Sequence, residues 1–220
     1  MILSVANVLS AGEAQEAQRS LSAARFEDGR RTAGRHARTV KQNLQAAPED
    51  AAAKAIKALV ADRLMANGVF LMAARPKRLS PILINRYDQG MSYGAHVDDA
   101  LMGGMRSDLS FTLFLSRPED YDGGALVIDT TAGEERFKLD AGALVLYPAT
   151  TLHRVEEVTR GTRLAAVGWV ESYVRDAEKR ALLFDLASAR HALFREHGKT
   201  EAFDLLSKCA ANLLRLWAET

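Results

Sequence analysis

Cysteine is almost missing from this chain: Cys209 is the only one in 220 residues. A lone thiol closes no internal disulfide, which excludes secreted disulfide scaffolds and thiolate-cluster metal sites together. Proline and glycine are also scarce, at 5 and 15 residues, and the composition of a disordered chain is absent. Neither sign of charge dominates, because 29 Lys and Arg stand against 28 Asp and Glu. A net charge of +1 gives no field for holding a polyanion, so nucleic acid is not an expected partner. No uninterrupted apolar run approaches the ~18 residues of a membrane span, so no membrane association is expected. Residues 1–10 place no Lys or Arg ahead of an apolar run, so a secretory leader is not expected and the cytoplasm is the expected location.

What is present is 48% hydrophobic residues in a length that ordinarily forms one domain and buries roughly 70% of its unfolded surface. Any metal must be held by His and carboxylates. Ser10 and Glu13 have capping-box spacing, and Ala14, Ala17, Leu21 and Ala24 follow at helical intervals, predicting a helix over 11–24. Residues 26–43 mix Gly29, Gly34, Arg30, Arg31, Arg35, His36 and Arg38 without period, and read as an exposed loop ending in a short strand at 39–41. A second helix is expected over 48–66, stopped by Asn67-Gly68.

Beyond Gly68 the runs become short, apolar and β-branched. Strands are predicted at 69–73, 80–87, 109–115, 125–129, 135–139, 143–147, 152–158 and 163–170. Eight strands without intervening helical pattern argue for antiparallel pairing in a sandwich or jelly roll. From about residue 175 the helical period returns twice around His197-Gly198-Lys199, predicting a helical hairpin. The expected fold class is α+β: a distorted jelly-roll core with helices before it. A main unit is expected over 1–172, with its strand-rich core at about 80–172, and a helical appendage over 173–220.

His96 and Asp98 stand at i and i+2, which on a strand sends both side chains from one face. That pair alone proves little, since five His make a chance His-x-Asp common. His153, 55 residues past Asp98, supplies a third candidate ligand at the start of another predicted strand. Two His and one carboxylate form the facial set of non-heme Fe(II), with three coordination positions left open. Arg163 alternates onto one face with Ala165, Val167 and Trp169. An Arg among small apolar neighbours needs an anion, either a ligand carboxylate or a salt bridge to Glu157 or Glu171.

Tyr87, Tyr93, His96-Val-Asp98, Gly123-Gly124-Ala-Leu, Tyr147-Pro148, His153 and Arg163 together resemble the Fe(II)- and 2-oxoglutarate-dependent dioxygenases. Within them the chain is similar to the bacterial PKHD-type hydroxylases, relatives of the prolyl 4-hydroxylase catalytic domain. The likeness covers residues 81–171 and extends to Arg30-Arg31-Thr-Ala-Gly34 and the C-terminal hairpin. It implies that His96, Asp98 and His153 ligate iron, and that Arg163 holds the distal carboxylate of 2-oxoglutarate. It places Tyr87 and Tyr93 near the cosubstrate or the site mouth. It implies hydroxylation with release of succinate and CO2, using Fe(II), 2-oxoglutarate and O2, with ascorbate as a reductant. Related halogenases replace the carboxylate ligand with a small residue, so Asp98 favours hydroxylation. The substrate is a small molecule or a peptide, by analogy a prolyl or lysyl side chain. A cupin-like metal enzyme without 2-oxoglutarate and a non-enzymatic sensor are the alternatives.

Other features have plainer readings. His36, His191 and His197 have no ligand-spaced partner and are expected at the surface. Cys209 is expected as a buried small hydrophobe beside Leu206 and Leu213, and Asp99 in solvent or behind the metal set. Gly103-Gly104 reads equally as a flexible lid or a surface loop. Trp169 is expected in the core or an interface. Leu213, Leu214, Leu216 and Trp217 suit either docking on the β core or a homodimer contact.

Overall fold

A computed structural model of the chain describes residues 1–32, 34 and 36–220. Arg35, which the sequence places in the basic segment, lies outside the described residues. Two antiparallel sheets face each other. The larger runs in the order Leu3–Val5, Leu144–Pro148, Leu109–Phe114, Val158–Ser172, Leu83–Asp88, Leu44–Ala46 and Phe26–Asp28, with Pro76–Leu79 and Tyr121–Gly123 also paired to the long strand. The smaller runs Gly133–Phe137, Leu126–Thr130, His153–Val155, Ser92–His96 and Lys41–Gln42. This is the expected jelly roll.

Period-two alternation gives the larger sheet two different faces. Ile84, Leu109, Phe111, Leu113, Leu144, Leu146, Leu164, Ala166 and Val170 point one way and share an apolar cluster with three helices. These are α1 (Ala11–Ser22), α2 (Ala51–Ala66) and α3 (Gly68–Ala74). Phe114, Val145 and Tyr147 point the other way, against Leu126 and Ile128 of the smaller sheet. The helices therefore brace the back of the large sheet and leave the inter-sheet space for chemistry.

α1 carries the predicted capping box: Ser10 Oγ accepts from the Glu13 amide, and Glu13 accepts from the Ser10 amide. α2 begins later than expected, at Ala51, because Asp50 caps it through the Ala53 amide and leaves Pro48 ahead of the first turn. The strand predicted at 69–73 is α3 instead. Asn67 accepts from the Phe70 amide and so restarts a helix where Asn67-Gly68 reads as a stop. A short apolar run fits a buried helix turn as well as a strand, and Phe70, Ala73 and Ala74 are indeed buried. The strand predicted at 80–87 is interrupted at Pro81, which has no N–H for a ladder.

The basic segment is more ordered than a loop, with 3-10 turns at Gly29–Thr32 and Ala37–Val40 between short strands. Asp28 pairs with Arg30 at 2.5 Å and Glu27 with Arg31 at 2.9 Å, which neutralises two of its cations at the surface.

The C-terminal pair is α4 (Ala177–His197) and α5 (Glu201–Trp217). α4 packs on α3 and α5, with Leu183 and Ala187 buried and Phe184 against the core cluster. That places the hairpin on the body of the protein. Cys209 is exposed, contrary to expectation. The face of α5 that turns inward follows Phe203, Leu206, Ala210, Leu213 and Trp217, so Ala210 is the buried residue and Cys209 is rotated out. No helix among the described residues is long and apolar enough to cross a membrane.

Candidate active site

His96 ends the strand Ser92–His96, and His153 begins the neighbouring strand His153–Val155 directly opposite it in the ladder. Direct cross-strand partners lie on one face, so both imidazoles enter the inter-sheet space, their centroids 4.3 Å apart. Asp98 lies two residues past the strand end rather than on it, and still turns inward. Its Oδ1 is 4.0 Å from His96 Nε2 and its Oδ2 is 3.8 Å from His153 Nε2. One ligand atom from each residue lies within 4.8 Å of the others, a cluster that could hold a metal ion.

The surroundings prepare these atoms for coordination. His96 Nδ1 is 2.9 Å from the Gly94 carbonyl and His153 Nδ1 is 3.0 Å from the Thr151 carbonyl. A proton on each Nδ1 donates to that carbonyl and leaves the Nε2 lone pair facing the centre. Ser110 Oγ donates to Asp98 Oδ2 at 2.5 Å and fixes the carboxylate. Tyr93 stacks on His96 at 3.7 Å, and Tyr147 meets His153 edge-on at 5.1 Å. Burial, with the His153 ring adding to it, pulls the His96 pKa down to about 4 and keeps the ring neutral.

Arg163 leaves the long strand toward the same space and is 1% exposed. Neither Glu157 nor Glu171 pairs with it; Glu171 is taken by Arg78, whose Nε donates at 2.6 Å. Arg163 Nε and Nη2 have no hydrogen-bond partner, although both are buried. Tyr87, its direct neighbour in the ladder, has its ring 5.2 Å from the guanidinium, and Phe114 lies at 5.3 Å. Burial raises the Tyr87 hydroxyl to about 12, so it stays protonated as a donor. Gly124 closes on this end at φ +62°, and a Cβ there would come within 3.1 Å of Arg163 Cδ and 2.9 Å of Val158 Cγ2. Only glycine suits both that backbone and that contact.

A cavity opens between the sheets here; Tyr87, Tyr93, His96, Asp98 and His153 line it. Sequence reasoning missed several of its other walls. Lys41, Gln45, Asn85, Thr112 and Tyr147 line it, as does Trp169, whose Nε1 is buried without a partner. Asn85 and Trp169 could have been found by alternation with Tyr87 and Arg163, whereas Lys41 comes from a segment whose pattern reads as surface loop and Gln45 from the patternless residues after it. Asp99 is exposed at the mouth, facing Gly34. Gly103 and Gly104 sit in regular structure. At φ +59° and +80° they form the two-residue turn of a hairpin pairing Leu101–Met102 with Met105–Arg106. His36, His191 and His197 are exposed, as expected.

The model of the 2OG-Fe(II) oxygenase superfamily matches residues 82–171, the span that contains all three clustered residues and Arg163. A PKHD-type hydroxylase of Acaryochloris marina is 52% identical over 219 residues, covering 100% of both chains. The chain belongs to the PKHD-type hydroxylases. As a member of the 2OG-Fe(II) oxygenase superfamily it is an oxidoreductase, a dioxygenase whose family implies Fe(II), 2-oxoglutarate and O2. Solved structures agree on the fold. A prolyl-4-hydroxylase of Pseudomonas putida is 21% identical with a TM-score of 0.56, over 78% of this chain and 92% of its own. A prolyl hydroxylase of Trichoplax adhaerens, solved with a hypoxia inducible factor peptide fragment, is 18% identical with a TM-score of 0.58, over 82% and 86%. For this PKHD-type hydroxylase the donor set suits the implied metal, since two imidazoles and one carboxylate are the ferrous facial set.

Proposed function

We propose that this PKHD-type hydroxylase holds Fe(II) with His96, Asp98 and His153, and 2-oxoglutarate with Arg163, and that it hydroxylates a peptide or small-molecule C–H bond. The observation that carries this reading is the buried guanidinium of Arg163 without an anionic partner, beside Tyr87, which lines the cavity of the three-residue cluster. A buried unpaired cation is costly, and a dicarboxylate of 2-oxoglutarate's length offers it a bidentate partner at one end and metal-chelating oxygens at the other. Bound Fe(II), with 2-oxoglutarate and O2, supplies the oxidation that turns C–H into C–OH as 2-oxoglutarate leaves as succinate and CO2.

The protein's own part is positional. Ser110 and the carbonyls of Gly94 and Thr151 hold the three ligand side chains. Tyr87, kept protonated by burial, donates toward the cosubstrate end, and Tyr93 covers His96 on the mouth side. The two facing sheets exclude water from the centre. Ascorbate would be the reductant for iron left oxidised by turnover without substrate, and a cytoplasmic location accords with a ferrous site that needs no thiolate.

The test of the function is succinate formation by the Fe(II)-loaded protein, coupled to a mass gain of one oxygen in a prolyl- or lysyl-containing peptide or a small molecule. Iron-dependent succinate release is expected without added substrate, and stimulation by the true one. A protein that releases no succinate under any condition would overturn the reading. The Ser110→Ala variant tests the positioning. Freeing one carboxylate oxygen of Asp98 is expected to weaken Fe(II) about 10-fold or more, read by chelator competition, with the KM for 2-oxoglutarate little changed.

A further inference from the structure

Lys41 is the cation that the proposed chemistry leaves over. It belongs to the basic segment, yet it is 5% exposed and lines the active-site cavity, whereas Arg30 and Arg31 of that segment are paired outside. Its backbone pairs Tyr93 in the smaller sheet. Three residues on, Leu44–Ala46 joins the larger sheet. The chain thus crosses between the sheets here and carries the ammonium into the side wall of the cavity.

That wall is polar and built. Lys41 Nζ donates to Thr32 Oγ1 at 3.2 Å, Thr32 donates to Gln45 Oε1 at 2.7 Å, and Gln45 donates to Asn85 Oδ1 at 2.9 Å. Gln45 and Asn85 are 6% exposed. Lys41 Nζ also stands 5.0 Å from the centre of the Tyr93 ring, which itself stacks on His96. One of three ammonium donors is used, by a neutral hydroxyl, and among the described residues no carboxylate lies within ion-pair distance. Asp98 and Asp28 reach Lys41 only through their fields, and burial outweighs them, drawing its pKa down to about 8. Asp98 is assigned to iron and Asp28 is paired with Arg30. Asp98 and the two charges of 2-oxoglutarate offset the ferrous ion and Arg163. The charge on Lys41 then has no counterpart inside the loaded site.

We propose that Lys41 anchors a carboxylate of the primary substrate, so that the enzyme hydroxylates an acid: an N-acylated amino acid or the C-terminal residue of a peptide. The proposal rests on the placement of 2-oxoglutarate at Arg163. The carboxylate is bound and not consumed, and the reacting C–H lies on the part of the substrate directed past Tyr93 toward the metal cluster. An apolar remainder is suited by Val97 and Met102, which also line the cavity, Val97 being 53% exposed. A lysyl side chain, bringing a second ammonium to Lys41, is disfavoured by the same charge argument.

The experiment uses Fe(II)- and 2-oxoglutarate-loaded protein without O2. Calorimetric titration compares N-acetyl amino acids with their carboxamides, and short peptides ending in a carboxylate with the same peptides amidated. The acids are expected to bind about ten-fold more tightly than the amides, the scale of one charge-assisted hydrogen-bonded contact. Preference confined to the amino acids or to the peptides tells which source of carboxylate is used. Lys41→Met is expected to abolish the preference and Lys41→Arg to retain it, with the KM for 2-oxoglutarate moving by less than about two-fold. Acids that bind no better than amides, or no binding by any of these probes, overturn the proposal. A Lys41→Met variant whose KM for 2-oxoglutarate rises would show that Lys41 serves the cosubstrate instead. Failure of the Arg163 placement is seen separately, as unchanged 2-oxoglutarate binding in Arg163→Met.

Discussion

Arg163→Met is expected to raise the KM for 2-oxoglutarate about 100-fold, because removing a buried charged partner from a desolvated carboxylate costs ~3 kcal/mol. Fe(II) affinity is expected to persist, since Arg163 packs beside Tyr87 and Phe114 and is not one of the three clustered residues. The apo protein is expected to gain stability or keep it. Arg163 is buried with Nε and Nη2 unpaired, and apolar replacement of a buried charge is commonly neutral to stabilising. Added 2-oxoglutarate reverses the order. At 100 times its dissociation constant a ligand adds ~2.7 kcal/mol to the wild type, and the variant receives almost none of this at the same concentration. Thermal unfolding with and without 2-oxoglutarate therefore reads the assignment directly, and equal ligand-induced shifts in the two proteins would sink it. Arg163→Lys retains charge but loses the planar two-point contact, and is expected to fall between them.

Replacing His153 by Ala is expected to remove iron-dependent succinate formation, with Fe(II) affinity reduced by more than the roughly 10- to 100-fold that loss of a supporting hydrogen bond costs. The backbone around it is secured independently. His153 is flanked by Ile128 on one side and His96 on the other, in ladders that do not need the imidazole. The circular dichroism spectrum is therefore expected to be retained, separating loss of the metal from loss of the fold. Turnover by His153→Ala at the wild-type rate would refute the iron site.

Much of this was legible in the chain itself, for a physical reason. Strand alternation fixes which side chains share a face, so Arg163, Ala165, Val167 and Trp169 could be grouped before any fold was known. The capping box at Ser10 was readable because both of its hydrogen bonds are local. Residues 69–73 were not readable, because an apolar run of that length has no period that separates a buried helix turn from a strand, and packing of Phe70 on Phe111 decides it. Cys209 failed for a related reason: a helix with apolar residues on more than one side can turn either inward, and α4 selects Ala210.

The sequence by itself determined the donor set, one carboxylate and two imidazoles, and the antiparallel class of the scaffold, since both rest on residue chemistry and short-range periodicity. Tertiary structure alone decided which charges are left unpaired. Arg163 could have met Glu171, and Lys41 could have stayed in solvent with Arg30 and Arg31. Pairing of Glu171 with Arg78 and passage of the chain between the sheets at Asn43 put both cations inside, and burial without a counter-charge is a property of the fold that no local spacing encodes.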